Sequence, residues 1–316
     1  MTNETILITG ACGQLGTELT EALCTIHKRV IATDLKDAVP ALGNTEFRKL
    51  DVLHKPSLAE IIEKEHVTQV YHLAAILSAT GEKQPELAWR INMKGLRNVL
   101  DTSAAFGVKK VFFPSTIAVF GSSTPKIDTP QYTAMEPNTI YGISKQAGEQ
   151  WCQWYHKNKG LDVRSVRYPG LISYKTKAGG GTTDYAVEIF YDALAGKPYH
   201  CFLKDDTVLP MMYMPDAVRG TIELMQAPAE KITVRTAYNF AGFSFAPKDM
   251  AAAIQKHLPD FTINYTPDFR QQIAESWPQS INDSFARLDW NWQPNFNLDK
   301  TVADMLSNVK LPESVV

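Results

Sequence analysis

The sequence predicts a doubly wound α/β fold built on a parallel sheet, and three observations carry that expectation. A short apolar run, Ile6-Leu7-Ile8, leads through Thr9-Gly10-Ala11-Cys12-Gly13-Gln14-Leu15-Gly16 into a segment where Leu19, Ala22, Leu23 and Ile26 recur at helical spacing. Apolar strand-like runs then alternate with helical segments to about residue 170, the rhythm of a parallel sheet covered on both faces. The glycine and polar residues that interrupt this rhythm fall at the carboxyl ends of the runs, where such sheets bind ligands.

Taken in order, the first strand turning into a helix across glycines leaves free N–H groups and the positive end of a helix dipole facing outward. Gly10, Gly13, Gln14, Leu15 and Gly16 are therefore candidates to cradle a diphosphate. The spacing is G-x-x-G-x-x-G, and a tight turn with no ligand shares that pattern. The second strand, 29–33, runs into Asp34, eighteen residues past Gly16. An acid there accepts hydrogen bonds from ribose hydroxyls and repels a 2′-phosphate, which points to NAD over NADP, with Lys36 softening the repulsion. The third strand, 47–50, ends in Asp51-Val52, placed for an adenine edge. Asp51 could instead cap the next helix, although Ser57 reads as the better cap. The fourth strand, 69–73, ends at Leu73-Ala74-Ala75, whose small side chains admit a flat cofactor. A helix over 86–106 carries Asn92, and the fifth strand, 110–113, ends at Pro114-Ser115-Thr116. A helix from Tyr141 to about 159 and a sixth strand, 162–168, complete the pattern.

After residue 170 the rhythm changes. A loop over 175–183 centres on Gly179-Gly180-Gly181, a helix spans 184–194, extended segments cover 201–214, and Pro215-Asp216-Ala217 opens another helix. Pro247, Pro267, Pro278 and Pro294 punctuate short elements before a final helix over 298–309. The expected organisation is a nucleotide-binding domain over 1–170 and a smaller α/β substrate lobe over 171–316, with a segment near 208–228 packing back on the first domain. At 316 residues the chain is long enough for both cores. Its 32 basic and 34 acidic residues, a formal charge of −2, offer no case for nucleic acid or a membrane surface. Cys12, Cys24, Cys152 and Cys201 are scattered without a Cys-x-x-Cys, so neither a disulfide framework nor a metal site is signalled. No apolar run is long enough to span a membrane, and the first strand starts at about Ile6 with no room for a secretory signal. The expected location is cytoplasmic.

The chemistry is read from Tyr141-Gly142-Ile143-Ser144-Lys145. A phenol and an ammonium four residues apart on a helix share one face. The ammonium favours the phenolate, making Tyr141 a base assisted by Lys145. Ser115 and Thr116 can supply the hydroxyl that fixes a substrate oxygen. Other residues have quieter readings. His72, in a buried strand, reads as a core histidine. Trp151, Trp154 and Tyr155 form a stripe for self-association or internal packing, and Met211, Met212 and Met214 line a pocket or fill a core gap. Thr182 and Thr183 could simply cap the helix ahead of Tyr185.

Together, residues 5 to about 220 resemble an extended short-chain dehydrogenase/reductase. The resemblance rests on residues 9–16, Asp34, Asp51-Val52, His72 to Ala75, Asn92, Ser115-Thr116, Tyr141 to Lys145 and Arg167-Tyr168-Pro169-Gly170. Three further segments, 75–82, 179–185 and 209–216, are similar to the metal-independent L-threonine 3-dehydrogenases of that family. The resemblance implies a Rossmann fold, NAD held also by Leu35, Asn92, Tyr168, Pro169 and Leu171, and a homodimer through the Tyr141 helix. It implies L-threonine as substrate, oxidised at its 3-hydroxyl to 2-amino-3-oxobutanoate and held by Ser78, Thr116, Tyr141, Gly181, Thr182 and Thr183, with no metal. Pro114 stands where a third hydroxyl residue is common in the family. Two alternatives stay open: a nucleotide-sugar epimerase or dehydratase of the same fold, and a non-catalytic NAD-binding protein. Against the first, those enzymes have Arg-Tyr-Phe-Asn where this chain has Arg167-Tyr168-Pro169-Gly170, which loses an amide from the diphosphate site.

Overall fold

A computed structural model describes residues 2–36, 45–175 and 181–311. Seven strands form one parallel sheet in the order β10-β6-β5-β4-β1-β2-β3. They are β1 (Thr2–Thr9), β2 (His27–Asp34), β3 (Thr45–Lys49), β4 (Gln69–His72), β5 (Lys110–Thr116), β6 (Asp162–Tyr168) and, after three strands that lie elsewhere, β10 (Tyr238–Asn239). The central strands are buried on both faces, as an all-parallel sheet requires: Ile6, Leu7, Ile8, Val70, Val111, Phe112 and Val163 are almost wholly excluded from water. The order reverses between β1 and β4, and this is the switch point at which doubly wound sheets bind ligands.

Helices cover both faces. On one side α2 (Lys55–Lys64), α5 (Leu96–Ala105) and α6 (Ile140–Lys159) enclose a core that includes Leu58, Leu100, Phe113 and Cys152. On the other, α1 (Gln14–Ile26) and α8 (Met214–Gln226) pack over Ile6, Ile8, Tyr71 and Phe112. Thus α8 of the 208–228 segment packs over the seven-stranded sheet, whereas Leu209–Tyr213 joins the third core described below, and Tyr238–Asn239 of β10 extends the large sheet beside β6. A third core gathers α7 (Tyr185–Leu194), α9 (Pro247–Gln255) and α12 (Leu298–Asn308) with β8 (Tyr199–Cys201) and β9 (Leu209–Tyr213). Two small sheets serve this half, one of β11 (Phe243–Phe245), β9 and β7 (Gly170–Ile172), the other of β12 (Ile263–Tyr265) and β8. Short α3 (Ser78–Lys83), α4 (Pro85–Trp89), α10 (Arg270–Ser276) and α11 (Ser284–Trp290) complete the chain.

Two local expectations are corrected. The helix expected over 86–106 is continuous but not uniform: a π-helical turn, Arg90–Gly95, separates α4 from α5. Such wide turns redirect a side chain inward, and here Asn92 uses the turn to reach Ile76 and Ser144. The helix after β3 is capped by neither Asp51 nor Ser57. It begins at Lys55 with His54 as cap, whose Nδ1 accepts from the Ser57 amide at 3.3 Å.

The helix bearing Tyr141 is the best specified element. Thr139 caps it by accepting from the Gly142 amide at 3.0 Å, and Gly160 at φ 67° ends it. It lies so close to β5 that a Cβ on Gly148 would stand 2.5 Å from the Phe113 ring and 3.1 Å from Leu96. Gly148→Ala is therefore expected to destabilise the fold by about 1–3 kcal/mol through overpacking, read as a lower urea midpoint with unchanged slope. An unchanged midpoint would mean that α6 does not sit this tightly on β5.

Candidate active site

A cavity of about 620 Å³ opens at the carboxyl ends of β1, β4, β5 and β6. Its wall carries Gly10, Gly13, Gln14, Leu15, Gly16, Leu73 and Ala75 at one end and Ser78, Thr116, Tyr141, Lys145, Gly181, Thr182 and Thr183 at the other, with Tyr168, Pro169 and Leu171 beneath. An adjoining cavity of about 250 Å³ shares Gly10, Cys12 and Gly13 with it and adds Asp34, Leu35, Asp51, Val52 and Ala74. Residues scattered from 10 to 183 thus meet in one continuous cleft, although Gly179 and Gly180 lie outside the described residues.

The glycine-rich end fits a dinucleotide. Gly10 has φ +74°, and a Cβ there would lie 2.5 Å from the backbone nitrogen of Ala74, so only glycine lets β1 turn against the end of β4. Helix α1 begins at Gln14 with no side-chain cap on Gly13, which leaves its first amides available to an anion. Asp34 is held by two backbone amides, Cys12 N–H at 3.0 Å and Lys36 N–H at 3.1 Å, one to each oxygen. The carboxylate is fixed yet keeps accepting capacity for ribose hydroxyls.

The other end is built by three consecutive residues of β5 facing α6. The Pro114 carbonyl accepts from Lys145 Nζ at 2.6 Å, Ser115 Oγ donates to Glu149 Oε1 at 2.6 Å, and the Thr116 hydroxyl hydrogen-bonds to Tyr141. Thr116 and Ser115 both line the cavity, and the Ser115 hydroxyl is engaged by Glu149. Ser115, expected beside Thr116 as a partner of the substrate hydroxyl, is buried and donates to Glu149. Asn92, expected at the cofactor, lies behind the cleft. It is absent from the cavity wall, its Oδ1 accepting from Ile76 N–H at 2.8 Å and its Nδ2 donating to the Ile76 carbonyl and Ser144 Oγ.

Burial dominates the electrostatics. It pushes the Tyr141 phenol up to about 12 against a counteracting hydrogen bond with Thr116, and pulls the Lys145 ammonium down to about 7. The sequence-based expectation that the ammonium itself lowers the phenol is not met, because Lys145 Nζ points to Pro114 and lies 5.7 Å from the Tyr141 ring centre. His72 is the expected core histidine: its Nδ1 is 2.8 Å from Thr9 Oγ1, and burial lowers its pKa to about 3.

Met211, Met212 and Met214 are fully buried, off the cavity wall, and fill core space. Thr182 and Thr183 do not cap α7, whose cap position is Asp184; they face the cavity. Sequence reasoning missed Trp277, which closes the wall from the far end of the chain, and the pair Glu149–Arg167 behind β5. No local motif marks Trp277. Glu149 could have been noticed, four residues past Lys145 on the same helix face.

The family model for NAD dependent epimerase/dehydratase matches residues 6–241. In structure, the chain is similar to the holo form of an L-threonine dehydrogenase from Cupriavidus necator, with 56% identity, 97% of this chain and 100% of that one covered, and a TM-score of 0.95. It is similar also to an L-threonine dehydrogenase from Phytophthora infestans, at 48% identity over 96% of this chain and 98% of that one, TM-score 0.93. An uncharacterized epimerase/dehydratase of Staphylococcus haemolyticus is 44% identical over 315 residues, 98% of this chain and 99% of the relative. The chain belongs to the NAD dependent epimerase/dehydratase family. It is an NAD-dependent oxidoreductase of that family, and the glycine loop, α1 and Asp34 are the parts that fit NAD.

If Asp34 holds the ribose diol, Asp34→Ala should raise KM for NAD by roughly tenfold or more, the loss of hydrogen bonds to a charged group, while KM for NADP falls or holds. Wild-type kcat/KM values that are equal for NAD and NADP would remove this role.

Proposed function

We propose that the chain oxidises the 3-hydroxyl of L-threonine to 2-amino-3-oxobutanoate with reduction of NAD. The observation that carries this reading is the composition of the cleft beyond the glycine loop. Tyr141, Thr116 and Lys145 face Ser78, Gly181, Thr182 and Thr183 across a small space, and among the described lining residues the cations are Lys36 and Lys145 alone. A nucleotide-sugar site needs cations or amides for a diphosphate beyond the dinucleotide. A few hydroxyls and backbone amides suit a small zwitterion instead. The names of the Cupriavidus and Phytophthora structures support the same reading.

In this mechanism Thr116 positions the substrate hydroxyl against Tyr141 Oη, and the Tyr141 phenolate takes its proton as the carbon gives up hydride. Bound NAD supplies the hydride acceptor and a positive ring charge that favours the phenolate. Lys145, hydrogen-bonded to the Pro114 carbonyl one helical turn from Tyr141, is placed to donate to a ribose. Thr182 and Thr183, with the amides before α7, hold the substrate carboxylate at the positive end of a helix. Ser78 approaches from the opposite wall.

We infer, in addition, that two copies associate through α6. The face beside it, lined by Trp89, Arg97 and Trp151, forms an open groove, and Trp89 and Trp154 are each 44% exposed. Exposed indoles in one patch favour covering by a partner.

Tyr141→Phe keeps the ring and removes the proton acceptor, so turnover with L-threonine should fall by roughly 10²-fold or more while NAD binding persists. The phenol's raised pKa requires kcat to climb with rising pH through the neutral-to-alkaline range, and a chelator should leave the wild type unaffected. Activity lost to chelation and restored by zinc would overturn the metal-free route. Thr182→Ala should raise KM for L-threonine several-fold, a hydrogen bond to a charged group being worth about 1.5–3 kcal/mol, with NAD affinity unchanged. Unaltered threonine kinetics in that variant, or wild-type turnover of a nucleotide sugar but not of threonine, would sink the assignment.

A further inference from the structure

Among the described residues that line the cavity, Trp277 alone comes from beyond Asp184. It follows α10, is 6% exposed, and its indole N–H has no hydrogen-bond partner. An indole nitrogen is a donor only, and a buried donor left unpaired forfeits a hydrogen bond that water would have supplied. Elsewhere in the fold the Trp292 indole donates to the Ala241 carbonyl at 3.0 Å. Trp290 shares the unpaired N–H, but it packs in the core against Tyr238 and Phe240. Trp277 is the indole that combines an unpaired donor with a place on the cavity wall.

The backbone around it is braced. Lys126 Nζ donates to the Ser276 carbonyl at 2.6 Å, the Gln279 amide returns a bond to the Lys126 carbonyl at 2.7 Å, and Thr129 N–H reaches the Ser280 carbonyl at 3.0 Å. A wall residue held this way has a fixed backbone, and its indole packs with the third core. As the ring stands its N–H is out of water's reach, so pairing it requires the indole to rotate toward the cavity.

We propose that Trp277 is a specificity-determining residue: its indole N–H turns into the cavity and donates to the carboxylate of the substrate. This rests on the reading of the site as one for a 3-hydroxy amino acid. The logic is one of charge and donors. Lys145 is committed to the Pro114 carbonyl and Lys36 sits at the ribose end of the cleft. The carboxylate is then met by neutral donors: Ser78, Thr182 and Thr183 bring hydroxyls to the cavity wall, and the Trp277 N–H is the buried donor among them still without a partner. The same contact selects an amino acid over an amino alcohol of similar size, because only the former pairs the buried donor.

The test compares L-threonine with 1-amino-2-propanol, which has the same amine and secondary alcohol but no carboxylate. Trp277→Phe keeps a ring and removes the donor, and Trp277→His restores a ring N–H. For Trp277→Phe the expected result is a KM for L-threonine raised about tenfold or more with kcat nearly unchanged, and kcat/KM for the amino alcohol unaltered. Trp277→His should recover part of the loss. In NADH-loaded wild type, the Trp277 indole resonance, identified by its absence in Trp277→Phe, should shift on adding L-threonine and stay put with the amino alcohol. An equal loss for both substrates, or an indole resonance indifferent to L-threonine, overturns the proposal; where Trp277→Phe does not fold, the indole signal missing from Trp277→His identifies the resonance instead. A wild type that leaves L-threonine unoxidised defeats the functional reading instead, and the resonance titration, which needs no turnover, still decides for or against the donor.

Discussion

The buried pair of Glu149 and Arg167 holds the two halves of the site in register. Both side chains are almost wholly excluded from water, with Arg167 Nη2 at 2.8 Å and Nε at 3.0 Å from the two carboxylate oxygens. The remaining valences are filled: Ser115 donates to Glu149, while Arg167 Nη1 donates to the Gln131 carbonyl and to Asn239 Oδ1, each at 3.0 Å. A buried ion pair adds little net stability over a well-packed apolar pair, but removing one partner strands the other and costs about 3–5 kcal/mol. Its consequence here is geometric. The pair ties α6 to β5 and β6 one turn beyond Lys145, and through Asn239 it ties both to β10, which belongs to the C-terminal half.

That constraint explains the arrangement of the reacting groups. Three successive residues of β5 meet α6 by backbone carbonyl, by brace and by hydroxyl, so the distance from Thr116 to Tyr141 is set by a rigid strand against a rigid helix. Sites carried on such elements hold their geometry better than sites on loops. The cost is desolvation, which drives both the phenol and the ammonium toward their neutral forms. A dry site of this kind strengthens every charge introduced into it.

The substrate side is built on the opposite plan. Ser78 begins a short helix, Gly181 to Asp184 precede α7, and Trp277 follows α10. These segments come from three separate parts of the chain and meet only because the C-terminal half returns to the sheet through α8 and β10. The glycine-rich end of the cleft therefore rests on one contiguous unit, and the far end on contacts between distant ones.

This difference marks what could be read from the sequence. The doubly wound sheet, the glycine turn, Asp34 at the tip of β2 and the Tyr141–Lys145 spacing were legible because each depends on neighbours within about twenty residues: a period, a turn or a helix face. The hydrogen-bond partners of Ser115 and Asn92 were not. Strand pleat and a π-helical turn set them, and both can be judged only once the facing element is known. The mutual charge effect of Lys145 and Tyr141 was misjudged for the same reason, since sequence spacing does not reveal that the ammonium is claimed by the Pro114 carbonyl or how dry the pair is. Trp277 and the Glu149–Arg167 brace join residues remote in sequence, and the sequence by itself carries no record of that proximity. Local chemistry determined the fold class and the cofactor end of the cleft; long-range packing, which alone decides which buried polar groups find partners, determined the rest.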